Sequence, residues 1–109
     1  MDVSIRKDKN IPVVSVKGRI DAVTAPEFEK ELSNLISDGV KKLVINLGDL
    51  EYISSAGLRS ILTIAKLLKA KEGKILFSGL QGPVRDVFNI SGFGAIFKIY
   101  DSEAAALKA

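Results

Sequence analysis

The chain has 109 residues, 47% of them hydrophobic, enough to bury a core in one domain without disulfides or metal staples. It contains no cysteine, which excludes disulfide frameworks, thiol catalysis and cysteine-ligated metal centres, and no histidine, which removes the usual general base, the usual metal ligand and every Ser-His-Asp triad. The net charge of +3 is modest, and lysines alternate with acids at Lys7-Asp8-Lys9 and Lys69 to Lys74, a solvated surface rather than a nucleic-acid interface.

In chain order, Val3 to Arg6 and Ile11 to Lys17 predict a β-hairpin across the polar Lys7-Asp8-Lys9-Asn10, with Pro12 at a strand start or edge. Thr24-Ala25-Pro26-Glu27 reads as a capping box with proline in the first turn. The helix it opens turns Phe28, Leu32, Leu35 and Ile36 inward and stops at Gly39. A strand is expected over Lys42 to Leu47. The helix after it repeats Leu58, Ile61, Leu62, Ala65 and Leu68 at helical spacing and ends at Gly73.

Ile75 to Ser78 supplies another strand. Gln81-Gly82-Pro83 opens a third helix with Val84, Val87, Phe88 and Ile90 inward, closed by Gly92. Ile96 to Tyr100 is the last strand, and Asp101 or Ser102 caps a final helix. The order β-β-α-β-α-β-α-β-α predicts one α/β domain over residues 1–109. Its sheet is mostly parallel or mixed, with about five strands and about four helices joined by right-handed crossovers. No run reaches the roughly 20 apolar residues of a membrane span. Met1 to Arg6 lacks the apolar core of a signal peptide, so a soluble, cytoplasmic protein is expected.

Chemistry concentrates in Asp49-Leu50-Glu51-Tyr52-Ile53-Ser54-Ser55-Ala56-Gly57-Leu58-Arg59, which leads through two hydroxyls and a glycine into the central helix. A helix start carries unpaired N–H groups and the positive end of the macrodipole, so Ser54 and Ser55 have two readings there: a simple cap, or a phosphate acceptor. Gly57 in the first turn costs about 0.5–1 kcal/mol relative to alanine, which asks for close backbone approach, either to the sheet or to a modifying enzyme.

At about 100° per residue, Ser55, Arg59, Thr63 and Lys66 lie outside the apolar stripe and form a docking face; alternatively, Arg59 and Lys66 are solvated charges. Leu67 also falls outside the stripe. No Gly-x-x-x-x-Gly-Lys-Ser/Thr loop is present, so a nucleotide-hydrolysing activity is not expected, and neither a cofactor nor a metal is implied.

Nearly end to end, the chain resembles a STAS domain, the fold of bacterial anti-sigma factor antagonists and of the cytoplasmic tails of sulfate transporters. The resemblance is carried by Gly18-Arg19-Ile20-Asp21, by Asp49 to Leu58 and by Phe93 to Ser102. It implies a regulator and not an enzyme. Ser55, two residues before Gly57, would be phosphorylated by an anti-sigma factor that is also a serine kinase and binds the ATP, and dephosphorylated by a serine phosphatase.

The family often carries aspartate where this chain has Ser54, which is the second choice of phosphosite. Asp21 matches an acidic position near the phosphorylatable loop and the partner surface; on position alone it reads as an exposed turn or helix-entry carboxylate. Taken with the docking face read from helical spacing, the expected partner surface is Asp21, Ser54, Ser55, Gly57, Arg59, Thr63 and Lys66. A scaffold in a signalling or transport assembly, in which the serines merely cap, is the alternative. A serine hydrolase would need a base that the histidine-free chain does not offer.

Overall fold

The computed structural model describes residues 1–109. Lys9 and Asn10 both take positive φ, 50° and 70°. This is the two-residue turn that matches strand twist, and it joins β1 (Asp2–Asp8) to β2 (Ile11–Ile20) in antiparallel register, Val3 opposite Val16 and Ile5 opposite Val14. The strands outrun the expected hairpin because so tight a turn releases Lys7 and Asp8 into the ladder. Pro12 sits at the start of β2, before parallel pairing begins at Val13.

The remaining elements are α1 (Ala25–Ser37), β3 (Lys42–Asn46), β4 (Leu50–Ile53), α2 (Ser55–Ala70), β5 (Lys74–Ser78), α3 (Gly82–Ile90), α4 (Phe93–Ile96), β6 (Lys98–Tyr100) and α5 (Glu103–Leu107). The sheet runs β1-β2-β3-β5-β6, antiparallel only at the β1 edge, and β4 joins the far end of β2. The mixed α/β fold is therefore as expected, with six strands and five helices. The two additional elements, β4 and α4, span four residues each and are too short to show a period.

Strand β2 serves two partners. Val13 to Ser15 pair with β3, whereas Gly18 to Ile20 pair with β4 across a register shift at Gly18, whose φ of +95° suits glycine. That bend delivers Ile20 and Ile53 side by side at the top of the sheet, where α2 begins.

One face of the sheet, with Val14, Ile45 and Phe77, packs on α1 through Phe28 and Leu32 and on α2 through Ile61, Ile64 and Leu68. The other presents Val13, Val44 and Leu76 to Ala106 of α5. The buried stripe of α2 is Gly57, Ser60, Ile61, Ile64 and Leu68, rotated from the expected one, so Leu58, Leu62 and Ala65 are half-buried. Ile90 is 87% exposed rather than inward. It lies about 200° round the helix from Phe88, which is buried. Ile96 ends α4, 63% exposed, instead of opening β6.

Helix ends follow carbonyl accounting. Gly39 (φ +100°) ends α1, its N–H donating to Ile36 O and that of Val40 to Leu35 O, a Schellman motif. At the end of α2 the left-handed residue is Glu72 (φ +59°), not the expected Gly73. Gly73 is small for another reason: a Cβ there would stand 2.5 Å from Lys41 O. Glu72→Gly, which relieves a left-handed non-glycine residue without touching Gly73, should therefore raise stability by about 1 kcal/mol in urea melts.

Candidate functional site

Ser54 closes β4 onto β2, its N–H donating to Ile20 O at 2.9 Å, and its extended backbone (φ −92°, ψ 175°) turns the chain into α2. Its Oγ accepts from Gly57 N–H at 3.3 Å, so Ser54 is the cap. Ser55 is the first helical residue, exposed, and its hydroxyl has no hydrogen-bond partner. The N–H groups of Ser55 and Ala56 are also unpaired. The first turn of α2 holds no acidic residue, so the helix supplies no counter-charge of its own to its positive end. Arg59 follows one turn later, exposed and in no ion pair.

Gly57 is buried, and a Cβ on it would meet Ile53 Cγ1 at 2.7 Å and Ile20 Cγ2 at 2.8 Å. Its smallness serves the seating of α2 on the ends of β2 and β4. This corrects the expectation that Gly57 belongs to the partner surface, since a buried residue presents none. Both obstructing atoms belong to β-branched side chains held in the core. Gly57→Ala should therefore cost about 1–3 kcal/mol by overpacking, read as a lowered urea midpoint.

Asp21 stands at the entry to α1, the bland one of its two expected readings. Its Oδ1 accepts from Val23 N–H (3.0 Å) and Thr24 N–H (3.1 Å), while Thr24 Oγ1 accepts from Asp21 N–H (2.9 Å). The capping box expected between Thr24 and Glu27 is thus set three residues earlier, with Asp21 as the cap and Thr24 as its reciprocal partner. Thr24 itself makes no cap bond to the helix it was expected to open.

The Thr24 amide chiefly holds the Asp21 carboxyl below its ordinary 3.8, with Val23 N–H, the Thr24 hydroxyl and Arg19 adding to this against partial desolvation. Because the folded form binds the proton more weakly than the unfolded chain, Asp21 stabilises the fold above 3.8. That contribution is lost as pH falls through the folded value. Asp21→Asn, which keeps an acceptor but cannot titrate, should show a shallower loss of stability than wild type in melts run through this acid range.

Between the starts of α1 and α2 lies an open groove of about 490 Å³, with Ala22, Pro26 and Glu29 on one wall and Ala56, Arg59 and Thr63 on the other. Ser55, Arg59, Thr63 and Lys66 are all exposed, as their helical spacing predicted, and Leu67 is 41% exposed. Of the expected surface, the fold brings Asp21, Ser54 and Ser55 to the ends of adjoining strands. Lys66 lies almost two turns beyond Arg59 along α2.

The family model described as the STAS domain matches residues 2–106. The chain belongs to the STAS domain family. Among STAS relatives, BtrV of Bordetella bronchiseptica, a candidate anti-sigma factor antagonist, is 37% identical over 109 residues, covering 100% of this chain and 94% of that one. The anti-sigma F factor antagonist of Paenibacillus polymyxa is 26% identical over 108 residues, covering 98% and 92%. The crystal structure of an anti-sigma factor antagonist from Mycobacterium paratuberculosis superposes with a TM-score of 0.89 at 30% identity, covering 98% of this chain and 91% of that one.

Some residues of this STAS surface escaped sequence reasoning. Arg19 lays its guanidinium 4.3 Å from the centre of the Tyr52 ring and reaches Asp21 at 3.9 Å, joining β4 to the α1 loop. Val23, beside Ala22 of the groove, is 86% exposed. The Arg19–Tyr52 pair became visible only with β4, whose register sets the two residues opposite each other. An apolar Val23 between Ala22 and Thr24 was the one signal available.

Proposed function

We propose that this STAS protein is an anti-sigma factor antagonist of the partner-switching kind. Its unphosphorylated form binds an anti-sigma factor that is also a serine kinase, and the sigma factor is released. The kinase brings the ATP and phosphorylates Ser55, which ends binding, and a serine phosphatase restores it. The protein acts through surfaces, in the cytoplasm, without a cofactor or catalysis of its own.

The division of labour between the two serines carries this reading. Ser54 is committed to capping α2, whereas Ser55 stands exposed, its hydroxyl unbonded, over two free N–H groups and one turn from Arg59. A phosphoryl group on Ser55 would bring a charge of roughly −1.5 to −2, which the helix N-terminus and Arg59 can hold without refolding. A partner surface packed against a neutral serine would then meet a desolvated dianion. The groove between α1 and α2, lined by Arg59 and Thr63, supplies the rest of the contact together with Asp21 and Lys66.

The reading is tested with the kinase of the source organism, captured on immobilised Ser55→Ala protein. Incubated with that kinase and ATP, the wild-type chain should acquire one phosphate, mapped to Ser55 by peptide mass spectrometry. Phosphate on Ser54 instead would move the switch by one residue. No phosphate, with binding retained, would favour the scaffold alternative.

A further inference from the structure

At the opposite end of α2 from Ser55, the last turn of that helix and the first residues of β5 and β6 enclose a groove of about 250 Å³. Ile75, Ile96 and Phe97 are among its apolar lining residues, and Lys69, Lys74 and Lys98 line it as well. Ile96 keeps 63% of its surface exposed, because α4 buries Phe93 and turns the last residue of its single turn outward. No carboxylate lines the groove. The two ion pairs of the chain, Arg6–Glu103 and Arg19–Asp21, involve no lysine, so none of the three ammonium groups of the groove is held in an ion pair.

The groove is smaller than the roughly 300–1,000 Å³ of sites that enclose small molecules, and so suits one or two anchor side chains of a larger partner. A bilayer surface or a nucleic-acid backbone would engage the lysines but leave the recessed apolar lining at Ile75 and Phe97 unused. We propose that this groove docks an acidic amphipathic segment of a partner protein. Aliphatic or aromatic anchors lie over Ile75, Ile96 and Phe97, and carboxylates face Lys69, Lys74 and Lys98. Ser55 and Lys69 lie about 20 Å apart along α2 at a rise of 1.5 Å per residue, so a docked segment leaves Ser55 accessible and the groove operates whether or not Ser55 is a switch.

The test titrates the 15N-labelled chain with a short synthetic peptide carrying leucine at i, i+3, i+4 and i+7 and glutamate elsewhere. A scrambled peptide of the same composition, a DNA duplex and phosphatidylglycerol vesicles are run in parallel. Saturable binding of the amphipathic peptide is expected, with amide shifts at Ile75, Ile96, Phe97 and Lys98. Lys69→Glu/Lys98→Glu and, separately, Ile96→Ser should each weaken it about tenfold or more, at unchanged circular dichroism. Equal binding of the scrambled peptide, preference for DNA or vesicles, shifts centred on Ser55, or no saturable binding of the amphipathic peptide would each overturn the proposal.

Discussion

Ser55→Asp should lower affinity for the anti-sigma kinase by about 100-fold or more, the scale of burying an unpaired charge in an interface, while Ser55→Ala binds as tightly as wild type. Neither substitution should disturb the fold. Ser55 is exposed and makes no side-chain hydrogen bond, and the cap that holds α2 belongs to Ser54. An aspartate in the first turn even complements the macrodipole, by about 0.3–1 kcal/mol. The discriminating result is therefore opposite movement of two observables: binding lost, melting temperature unchanged or slightly raised. Loss of binding accompanied by loss of stability would mean that the substitution had damaged the platform instead of the contact.

The largest effect on stability is expected at Phe77. Its ring meets Phe88 and Phe97 edge-to-face, and Phe93 touches both of those, closing a set of four aromatic side chains with centroids 5.3 to 5.6 Å apart. The set ties β5 to α3, to α4 and to the residue that leads into β6, and Phe77 itself is wholly buried. Phe77→Ala should cost about 3–5 kcal/mol, both from transfer and from the cavity left among three rings that cannot all move inward. Phe77→Leu, closer in volume, should cost clearly less. Urea melts measure both. Against a total stability of about 5–15 kcal/mol, the alanine variant would be marginal at physiological temperature, with β6 and α4 the first elements to loosen.

Elements with a full period were legible in the residues: the hairpin, α1, β3, β5 and the amphipathic α2 all lie where patterning puts them. What patterning missed was short or depended on a partner. Strand β4 has only Leu50 and Ile53 buried across four residues, a spacing that reads as neither strand nor helix until β2 bends at Gly18 to receive it. Helix α4 is a single turn held by Phe93 against Phe88 and Phe97. Because α4 occupies Phe93 to Ile96, the last strand starts at Lys98.

The candidate site divides along the same line. Two serines before a glycine at a helix start mark the location in the sequence, and helical spacing foretells which side chains face solvent. Tertiary contacts assign the jobs. Asp21 is occupied in capping α1 through a box that begins three residues before the Thr24 to Glu27 pattern. Gly57 is occupied by Ile20 and Ile53, residues 33 positions apart in the chain that only the sheet brings together. Ser55 is the hydroxyl left over, and that residual freedom could not be read from a pair of adjacent serines.

The most direct measurement is a calorimetric titration of one preparation in three states against the captured anti-sigma kinase: unmodified, fully phosphorylated at Ser55, and dephosphorylated again. Partner switching predicts tight binding in the first state, none measurable in the second and full recovery in the third. Equal affinity of the phosphorylated and unmodified chains would contradict it and leave Ser55 an ordinary surface serine beside a helix cap.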